Sequence, residues 1–266
     1  VSDAGYECIE LGGYGYFPTD PVVLKTELDK RGLKLTAAGV LSVLEDTCNW
    51  SNLKEYVLRT GNLLSSLGGQ FLLLVDGFIT GYPEVGSSAD PKERLEITEW
   101  GRLVENTHRV AELVRERFNL KLVFHPCADT HVQFEEDIER FLSDTDPTLI
   151  SLCLDTGHHV YRGGDPVKFM RKYHQRIPYL HLKSVDPCLI KVVNDDNIPM
   201  AEAVRMGVMC APGTGVVDFE AFGAVLREVD YNGYCVVEQD IYRPPIDVPY
   251  QIAKRARQHL KDVGLG

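Results

Sequence analysis

The chain has 266 residues, of which 44% are hydrophobic and 25% are charged, a balance ordinary for a globular protein and sufficient for a sizeable core. Its formal net charge of -11 at pH 7 argues against nucleic acid or an anionic membrane surface as a partner, because both bind basic faces. No apolar run approaches the roughly 18 residues of a membrane span, and no signal peptide is visible.

Seven cysteines are scattered along the chain without a CxxC pair. Several lie in apolar, strand-like runs, as Cys153 and Cys235 do. An odd number of dispersed, buried thiols is typical of an intracellular protein that keeps its cysteines reduced. We therefore expect a cytoplasmic location and no disulfide framework.

Short apolar runs alternate with longer amphipathic runs along the chain. The opening VSDAG is typical of the last turn of a helix closed by Gly5, so a first strand and most of a first helix would precede residue 1. Strands are then predicted over residues 6–11, 34–40, 70–76, 121–125, 150–155, 179–183 and 234–239. Helices are predicted over residues 20–31, 51–67, 90–118, 134–144, 165–175, 218–229 and 247–262.

The predicted strands are continuously apolar, which indicates burial on both faces, as in a parallel sheet. Asp-Pro pairs at 20–21, 90–91 and 165–166 each supply an N-cap and a proline at the first helical position. Strand and helix alternate throughout, which is the pattern of an α/β protein. We predict a single (β/α)8 TIM barrel domain over residues 1–266, with its first strand upstream of residue 1; a doubly wound open sheet is the alternative.

Two long loops follow predicted strands and would overhang the C-terminal face of the barrel, where active sites lie. The first loop spans residues 77–89 and the second spans residues 184–217. Long loops inside a compact domain are usually functional or mobile. Residues 194–207, within the second loop, are predicted to contain a short helix that would serve as a lid.

Chemically active side chains stand at the C-terminal ends of the predicted strands. They are Glu10, His125, Asp155, His158, His181, Lys183 and Glu238. In a barrel these strand ends share one rim, so imidazoles and carboxylates would converge there without any local motif. Such a set of oxygen and nitrogen ligands suits Mn, Co, Fe, Mg or Zn rather than a soft metal.

Each of these residues, taken alone, also has a structural interpretation. Asp155 before Thr-Gly is typical of an Asx turn, and His181 in an apolar strand is typical of a satisfied core residue. Lys183 would form an ion pair inside the barrel, and His159 would be a solvated neighbour of the site. Glu238 is harder to explain structurally, because a carboxylate ending a buried strand is costly unless it is paired or metal-bound.

Six segments carry a resemblance to a known family. They are YECIELGGYGYFP, LVFHPCADTHVQFEEDIERFL, LCLDTGHHVYRGGDP, IPYLHLKSVDP, APGTGVVDF and YNGYCVVEQD. In order and spacing they resemble the xylose-isomerase-like barrel superfamily of sugar isomerases, epimerases and endonuclease IV relatives. Within it, IELGGYGYFPTDP and FHPCADTHVQFEEDI are most similar to inosose (2-keto-myo-inositol) dehydratases.

The resemblance implies a divalent metal, with manganese or cobalt favoured and magnesium, iron or zinc as alternatives. Three ligands carry over directly: Asp155, His181 and Glu238. The fourth ligand is usually a glutamate, and Gln133 stands at its place, with Glu135 and His125 as alternatives. Relatives often have a second histidine where Cys127 stands, so the chain departs from the family pattern there.

The resemblance also implies a dehydratase that takes a proton next to the ketone of an inosose, or a similar cyclic polyol ketone, and expels a β-hydroxyl through a metal-stabilised enediolate. Glu238 would ligate the metal or act as the base. His158 or His125 would protonate the departing hydroxyl. Lys183 and Glu10 would hold substrate oxygens or assist proton transfer.

A metal-dependent sugar or cyclitol isomerase or epimerase is the alternative, because it needs the same enediolate but no leaving group. The DNA-repair branch is disfavoured by the net charge of -11 and by the lack of a basic run. A non-catalytic sugar-binding barrel would show little metal affinity. The expected partner is therefore a small polyol or sugar ketone, and barrels of this group often associate, which leaves a homo-oligomer open.

Overall fold

A computed structural model describes residues 1–79 and 94–265 of the chain. Its main sheet has seven parallel strands in the order β1-β2-β3-β4-β5-β6-β9. Strands β7 and β8 form a separate, short antiparallel pair. The strands are β1 (Cys8–Gly13), β2 (Lys34–Ser42), β3 (Phe71–Asp76), β4 (Lys121–Phe124), β5 (Ile150–Asp155), β6 (Tyr179–Leu182), β7 (Ser184–Val185), β8 (Met209–Cys210) and β9 (Tyr234–Val237).

Helices connect the strands of the main sheet. They are α1 (Pro21–Asp29), α2 (Trp50–Ser66), α3 (Ile97–Phe118), α4 (Glu135–Asp144), α5 (Thr156–Tyr161), α6 (Pro166–Tyr173), α7 (Pro187–Asp195), α8 (Met200–Met206), α9 (Phe219–Glu228) and α10 (Val248–Asp262). Asp20 and Asp165 cap α1 and α6 with their side chains, as the Asp-Pro pairs predicted.

The helix predicted over residues 90–118 is wrong at residues 94–96, which are not helical, and its predicted start at residue 90 lies outside the described residues. Glu96 begins α3 through a reciprocal capping box with Glu99. This box decides the boundary, whereas the Asp-Pro pair at 90–91 lies outside the described residues. The strand and helix boundaries predicted elsewhere agree with the structure within a few residues.

The sheet curves until side chains from non-adjacent strands meet inside it. The ring of Phe71 on β3 lies 5.2 Å from that of Tyr179 on β6 and 5.8 Å from that of Tyr234 on β9. The Tyr179 hydroxyl is 2.8 Å from Thr36 Oγ1 on β2. These contacts describe a nearly closed cylinder with helices outside it, so the predicted (β/α)8 fold class is confirmed.

The residues that precede β1 form a short 3-10 helix, Ser2–Ala4, closed by Gly5 in the left-handed region at a φ of 93°. This matches the helix-ending turn predicted from VSDAG. The upstream first strand and the extent of the domain over residues 1–266 stay predictions.

The main apolar layer lies between the sheet and the helices, where Val57 of α2, Phe141 of α4 and Phe222 of α9 are fully buried. A smaller cluster fills the barrel, with Ala37, Phe71 and Tyr179 among its members. Side chains along a strand alternate between these two layers. Of two consecutive residues at the end of a strand, one therefore points into the mouth of the barrel and the other points away from it.

The predicted loop over residues 184–217 contains more structure than the one short helix expected. It holds β7, α7, α8 and β8, and these share a small core that includes Val193, Met200 and Val204. The short helix predicted within residues 194–207 is α8. Its action as a lid stays a prediction, and residues 80–89 of the other predicted loop lie outside the described residues.

All seven cysteines are free. Cys153 is buried as predicted, but Cys235 is exposed, so the expectation of buried thiols is wrong there. No helix within the described ranges is both long and apolar enough to cross a membrane.

The interior hydrogen bond of Tyr179 generates a stability prediction. Tyr179→Phe should lower the free energy of unfolding by about 1 kcal/mol, because it removes one buried hydrogen bond while Thr36 keeps the Ile9 carbonyl at 3.2 Å. Urea unfolding measures this change. Tyr16→Phe, at a side chain that is 82% exposed, is the matched control, and equal stability of the two variants would contradict the prediction.

Candidate active site with a metal centre

The mouth of the barrel receives side chains from the ends of four neighbouring strands. Asp155 ends β5, and His181 lies beside it in the register of β6. His125 directly follows β4, and Glu238 directly follows β9. Alternation along each strand turns these four side chains inward, above the apolar interior.

These four side chains form one cluster, in which each residue offers a ligand atom and all the ligand atoms lie within 4.8 Å of one another. Asp155 Oδ2 is 3.6 Å from His125 Nε2 and 3.7 Å from His181 Nδ1. His181 Nδ1 is 3.0 Å from Glu238 Oε2. Two imidazoles and two carboxylates therefore converge on one point.

The cluster has the unsatisfied donors and acceptors expected of a metal site. Within the described residues, His125 Nε2, Asp155 Oδ2 and His181 Nδ1 are buried without a hydrogen-bond partner. Such atoms are costly to bury unless an ion or water binds them. The mixed nitrogen and oxygen set fits Mn, Co, Fe or Zn.

Glu10 orients one of these ligands. Its Oε1 lies 2.9 Å from His181 Nε2, so that nitrogen can donate its proton to the carboxylate and leave the Nδ1 lone pair facing the cluster. This is the arrangement in which a carboxylate fixes the tautomer of a metal-binding histidine. Glu10 lies on β1, so the contact also connects the first strand of the described sheet with β6, which neighbours its last strand.

The ammonium of Lys183 lies beside the cluster, and the residue is completely buried. Lys183 Nζ is 2.8 Å from Glu238 Oε2, 2.7 Å from Asp240 Oδ2 and 3.3 Å from Asp155 Oδ2. Burial alone would raise the pKa of Asp155, but the Lys183 ammonium, together with the imidazoles of His158 and His125, outweighs it and holds that pKa below its usual value. The acid therefore stays ionised at the end of a buried strand.

Asp155 uses its two oxygens for two purposes. Oδ1 accepts a hydrogen bond from the His158 backbone N–H at 2.8 Å and so caps α5, whereas Oδ2 faces the cluster. The turn interpretation and the metal interpretation of Asp155 therefore describe different atoms of one side chain.

His158 sits on the first turn of α5, beside the cluster. Its Nε2 lies 3.3 Å from Lys183 Nζ and 3.5 Å from Cys127 Sγ. Burial and the neighbouring Lys183 ammonium lower the pKa of His158 to about 4, so its imidazole is neutral near pH 7. A neutral imidazole next to a metal cluster can accept a proton.

A cavity of about 260 Å³ opens onto these groups, at the small end of the range for ligand sites. Its polar lining comes from Glu10, His125, His158, His181, Glu238 and Asp240. Its apolar wall includes Leu73, Val75, Phe78 and Met200. Met200 belongs to α8, so the 184–217 segment contributes directly to the wall.

Not every predicted site residue reaches the cavity. Gln133 is buried, but its Oε1 accepts a hydrogen bond from the Asp129 backbone N–H at 2.8 Å. Glu135, the second alternative for the fourth ligand, lies 3.2 Å from His159 Nε2 on the outer side. The structure brings His125, the third alternative, together with the other three predicted ligands.

Two contributors were not assigned roles from the sequence. Asp240 lines the cavity and contacts Lys183, and the only signal for it was an acid two residues beyond Glu238. Cys127 contacts His158, and burial raises its thiol pKa well above the usual value. The thiol is therefore protonated at this position beside His158.

Comparisons with known proteins support the resemblance seen in the sequence. A family model described as xylose isomerase-like TIM barrel matches residues 1–263. Inosose dehydratase from Geobacillus kaustophilus (strain HTA426) is 31% identical over 262 residues, which cover 98% of this chain and 84% of that protein.

Two solved structures share the fold at low sequence identity. The IOLI protein with a bound zinc atom has a TM-score of 0.70 at 16% identity and covers 98% of this chain and 88% of its own. The 3-keto-D-glucoside 4-epimerase YcjR from E. coli has a TM-score of 0.71 at 17% identity. The match covers 99% of this chain and 90% of the epimerase.

The buried Lys183 network generates a second prediction. In chelator-treated protein, Lys183→Met should lower the free energy of unfolding by about 3–5 kcal/mol, because Asp155 would lose the cation that compensates its buried charge. Chemical denaturation measures the loss. Lys191→Met, which breaks an exposed pair with Asp195, should change stability little, and equal losses in the two variants would contradict the network's importance.

Proposed function

Since the chain belongs to the xylose isomerase-like TIM barrel family, we propose that it is a metal-dependent dehydratase of an inosose, 2-keto-myo-inositol, or of a similar cyclic polyol ketone. The observation that carries this proposal is the cluster of His125, Asp155, His181 and Glu238 beside a neutral His158. The 31% identity to an inosose dehydratase over nearly the whole chain supports the choice of substrate.

The proposed metal ligands are His125, Asp155, His181 and Glu238. His125 replaces Gln133 as the fourth ligand in this assignment, because Gln133 Oε1 is already bound to the Asp129 backbone. The nitrogen and oxygen donors suit Mn, Co, Fe or Zn, and the family resemblance favours manganese or cobalt among them. The zinc atom bound to the IOLI protein, which shares this fold, supports a divalent ion. When bound, the ion would supply Lewis acidity toward the ketone oxygen and a neighbouring hydroxyl.

His158 is the proposed proton carrier. Its imidazole lines the cavity and is neutral, so it can accept the proton from the carbon next to the ketone. It then returns that proton to the β-hydroxyl, whose C–O bond breaks as the C=C bond forms, and water leaves. Glu238, with one oxygen toward Lys183, is a second candidate for taking the proton.

Lys183 has a different proposed role from the one expected of it, whereas Glu10 keeps its expected role toward the substrate. Lys183 is completely buried and surrounded by Asp155, Glu238 and Asp240, so it positions these carboxylates rather than contacting the substrate. Glu10 lines the cavity and keeps one oxygen for His181, which leaves the other for a substrate hydroxyl.

A small cavity lined by acids and imidazoles suits a compact polyol rather than a polymer. It therefore supports a small-molecule partner, as the net charge of -11 does. A cytoplasmic location and self-association stay predictions.

The proposal is tested by a metal-dependent activity assay. Chelator-treated protein should be inactive with 2-keto-myo-inositol, and added Mn²⁺ or Co²⁺ should restore water loss, followed by absorbance of the unsaturated product and by NMR. His158→Ala should lower kcat by about 10²-fold or more, because proton transfer is lost. Glu55→Gln, at an exposed position on α2, is the control and should keep full activity.

The same assay separates the two enzyme classes. If deuterium enters a ketohexose or an inosose at the carbon next to the ketone without loss of water, the epimerase or isomerase alternative is correct and the dehydratase proposal fails. The fold shared with 3-keto-D-glucoside 4-epimerase makes this a meaningful comparison.

A further inference from the structure

A second group of metal-ligating side chains lies behind the wall of the cavity. Glu45 follows β2, Asp76 ends β3, and His131 follows β4. Their ligand atoms lie within 4.8 Å of one another, and all three residues are buried. Val75 lines the cavity, so the next residue, Asp76, points to the opposite face of the barrel wall.

The three side chains are held in place from several directions. Asp76 Oδ2 lies 2.7 Å from His131 Nδ1, and Asp76 Oδ1 accepts the Leu44 backbone N–H at 3.2 Å. Helix α3 braces the segment that carries Glu45: Asn106 Nδ2 donates to the Leu44 carbonyl at 2.8 Å, and Arg102 Nε donates to the Glu45 carbonyl at 2.7 Å. The group is therefore prearranged rather than assembled from mobile chains.

Glu45 brings an unpartnered oxygen into this group. The residue is only 8% exposed, and its Oε2 has no hydrogen-bond partner in the part of the chain that the structure describes. His131 Nδ1 lies 3.9 Å from this oxygen, which is too far for a hydrogen bond. Oε2 therefore faces the other two ligand atoms of the group without being bound to His131.

A divalent ion would match the charges of the group. Glu45 and Asp76 together carry two negative charges when ionised, and a divalent ion beside a neutral His131 would cancel both. Because a buried uncompensated charge is costly, such an ion would stabilise the group.

We propose that Glu45, Asp76 and His131 form a second divalent-cation site, separate from the barrel mouth. Two carboxylate oxygens and one imidazole nitrogen suit Mn, Fe, Co or Zn, and water would complete the shell. The site joins the segments that follow β2, β3 and β4, so its role is structural: it fixes the wall that carries Val75 and Phe78. It does not depend on the proposed dehydratase activity.

Metal content tests this site with Mn²⁺ as the probe. After gel filtration with Mn²⁺, elemental analysis should find two ions per chain in the wild type, one in Glu45→Gln, one in His181→Ala and none in the double variant. Glu55→Gln, on the exposed face of α2, should keep both ions. Glu45→Gln with as much Mn²⁺ as Glu55→Gln would overturn the proposal. If the barrel mouth binds no ion but the second site does, the wild type should hold one ion and Glu45→Gln should hold none.

A second measurement does not require Glu45→Gln to fold. In His181→Ala protein, substoichiometric Mn²⁺ should broaden the NMR signals of the His131 ring, because the ion binds next to it. The proposal would be overturned if the His131 ring were doubly protonated and its signals stayed sharp during the titration. The group would then be an imidazolium paired with Asp76.

Discussion

The buried ammonium of Lys183 is the interaction on which the barrel mouth depends. It contacts Asp155 at the end of β5, and Glu238 and Asp240 beyond β9, while its own backbone extends β6. Three strand ends are thus held by one buried cation. A carboxylate in such a place would otherwise be neutral or displaced, so the ion pair keeps acidic ligands ionised where a metal can use them.

Because side chains alternate along a strand, the polar residues at the strand ends lie on both sides of the barrel wall. Asp155, His181 and Glu238 point inward, where they meet His125. Asp76, one residue beyond the cavity-lining Val75, points outward and meets His131. The same rule that fills the barrel with apolar side chains therefore creates a proposed catalytic cluster on one face and a proposed structural cluster on the other.

Much of the fold could be predicted from the sequence because the signals are local. Continuous apolar runs identify all seven strands of the main sheet, and Asp-Pro pairs identify the starts of α1 and α6. Helix α5 was not predicted, since it begins directly after β5 and has only six residues. Helix α7 lies within a segment whose length suggested a loop, and the start of α3 depends on a capping box rather than on proline.

The site was predictable wherever a residue lies on a strand end, because a barrel brings such ends together. Asp155, His181 and Glu238 meet this condition, and the structure places them in one cluster. Gln133 does not, since it lies in a turn after β4 whose conformation is set by its contact with the Asp129 backbone. The burial of Lys183 also could not be read from the sequence, because it depends on acids from two other strands.

Anomalous diffraction at the manganese edge, from crystals of Mn²⁺-loaded protein, tests the metal centre most directly. The account predicts a strong peak at the barrel mouth within coordinating distance of His125 Nε2, Asp155 Oδ2, His181 Nδ1 and Glu238. The absence of a peak at the mouth would contradict the proposed centre. A peak bound by Gln133, with His125 turned away, would contradict the assignment of the fourth ligand.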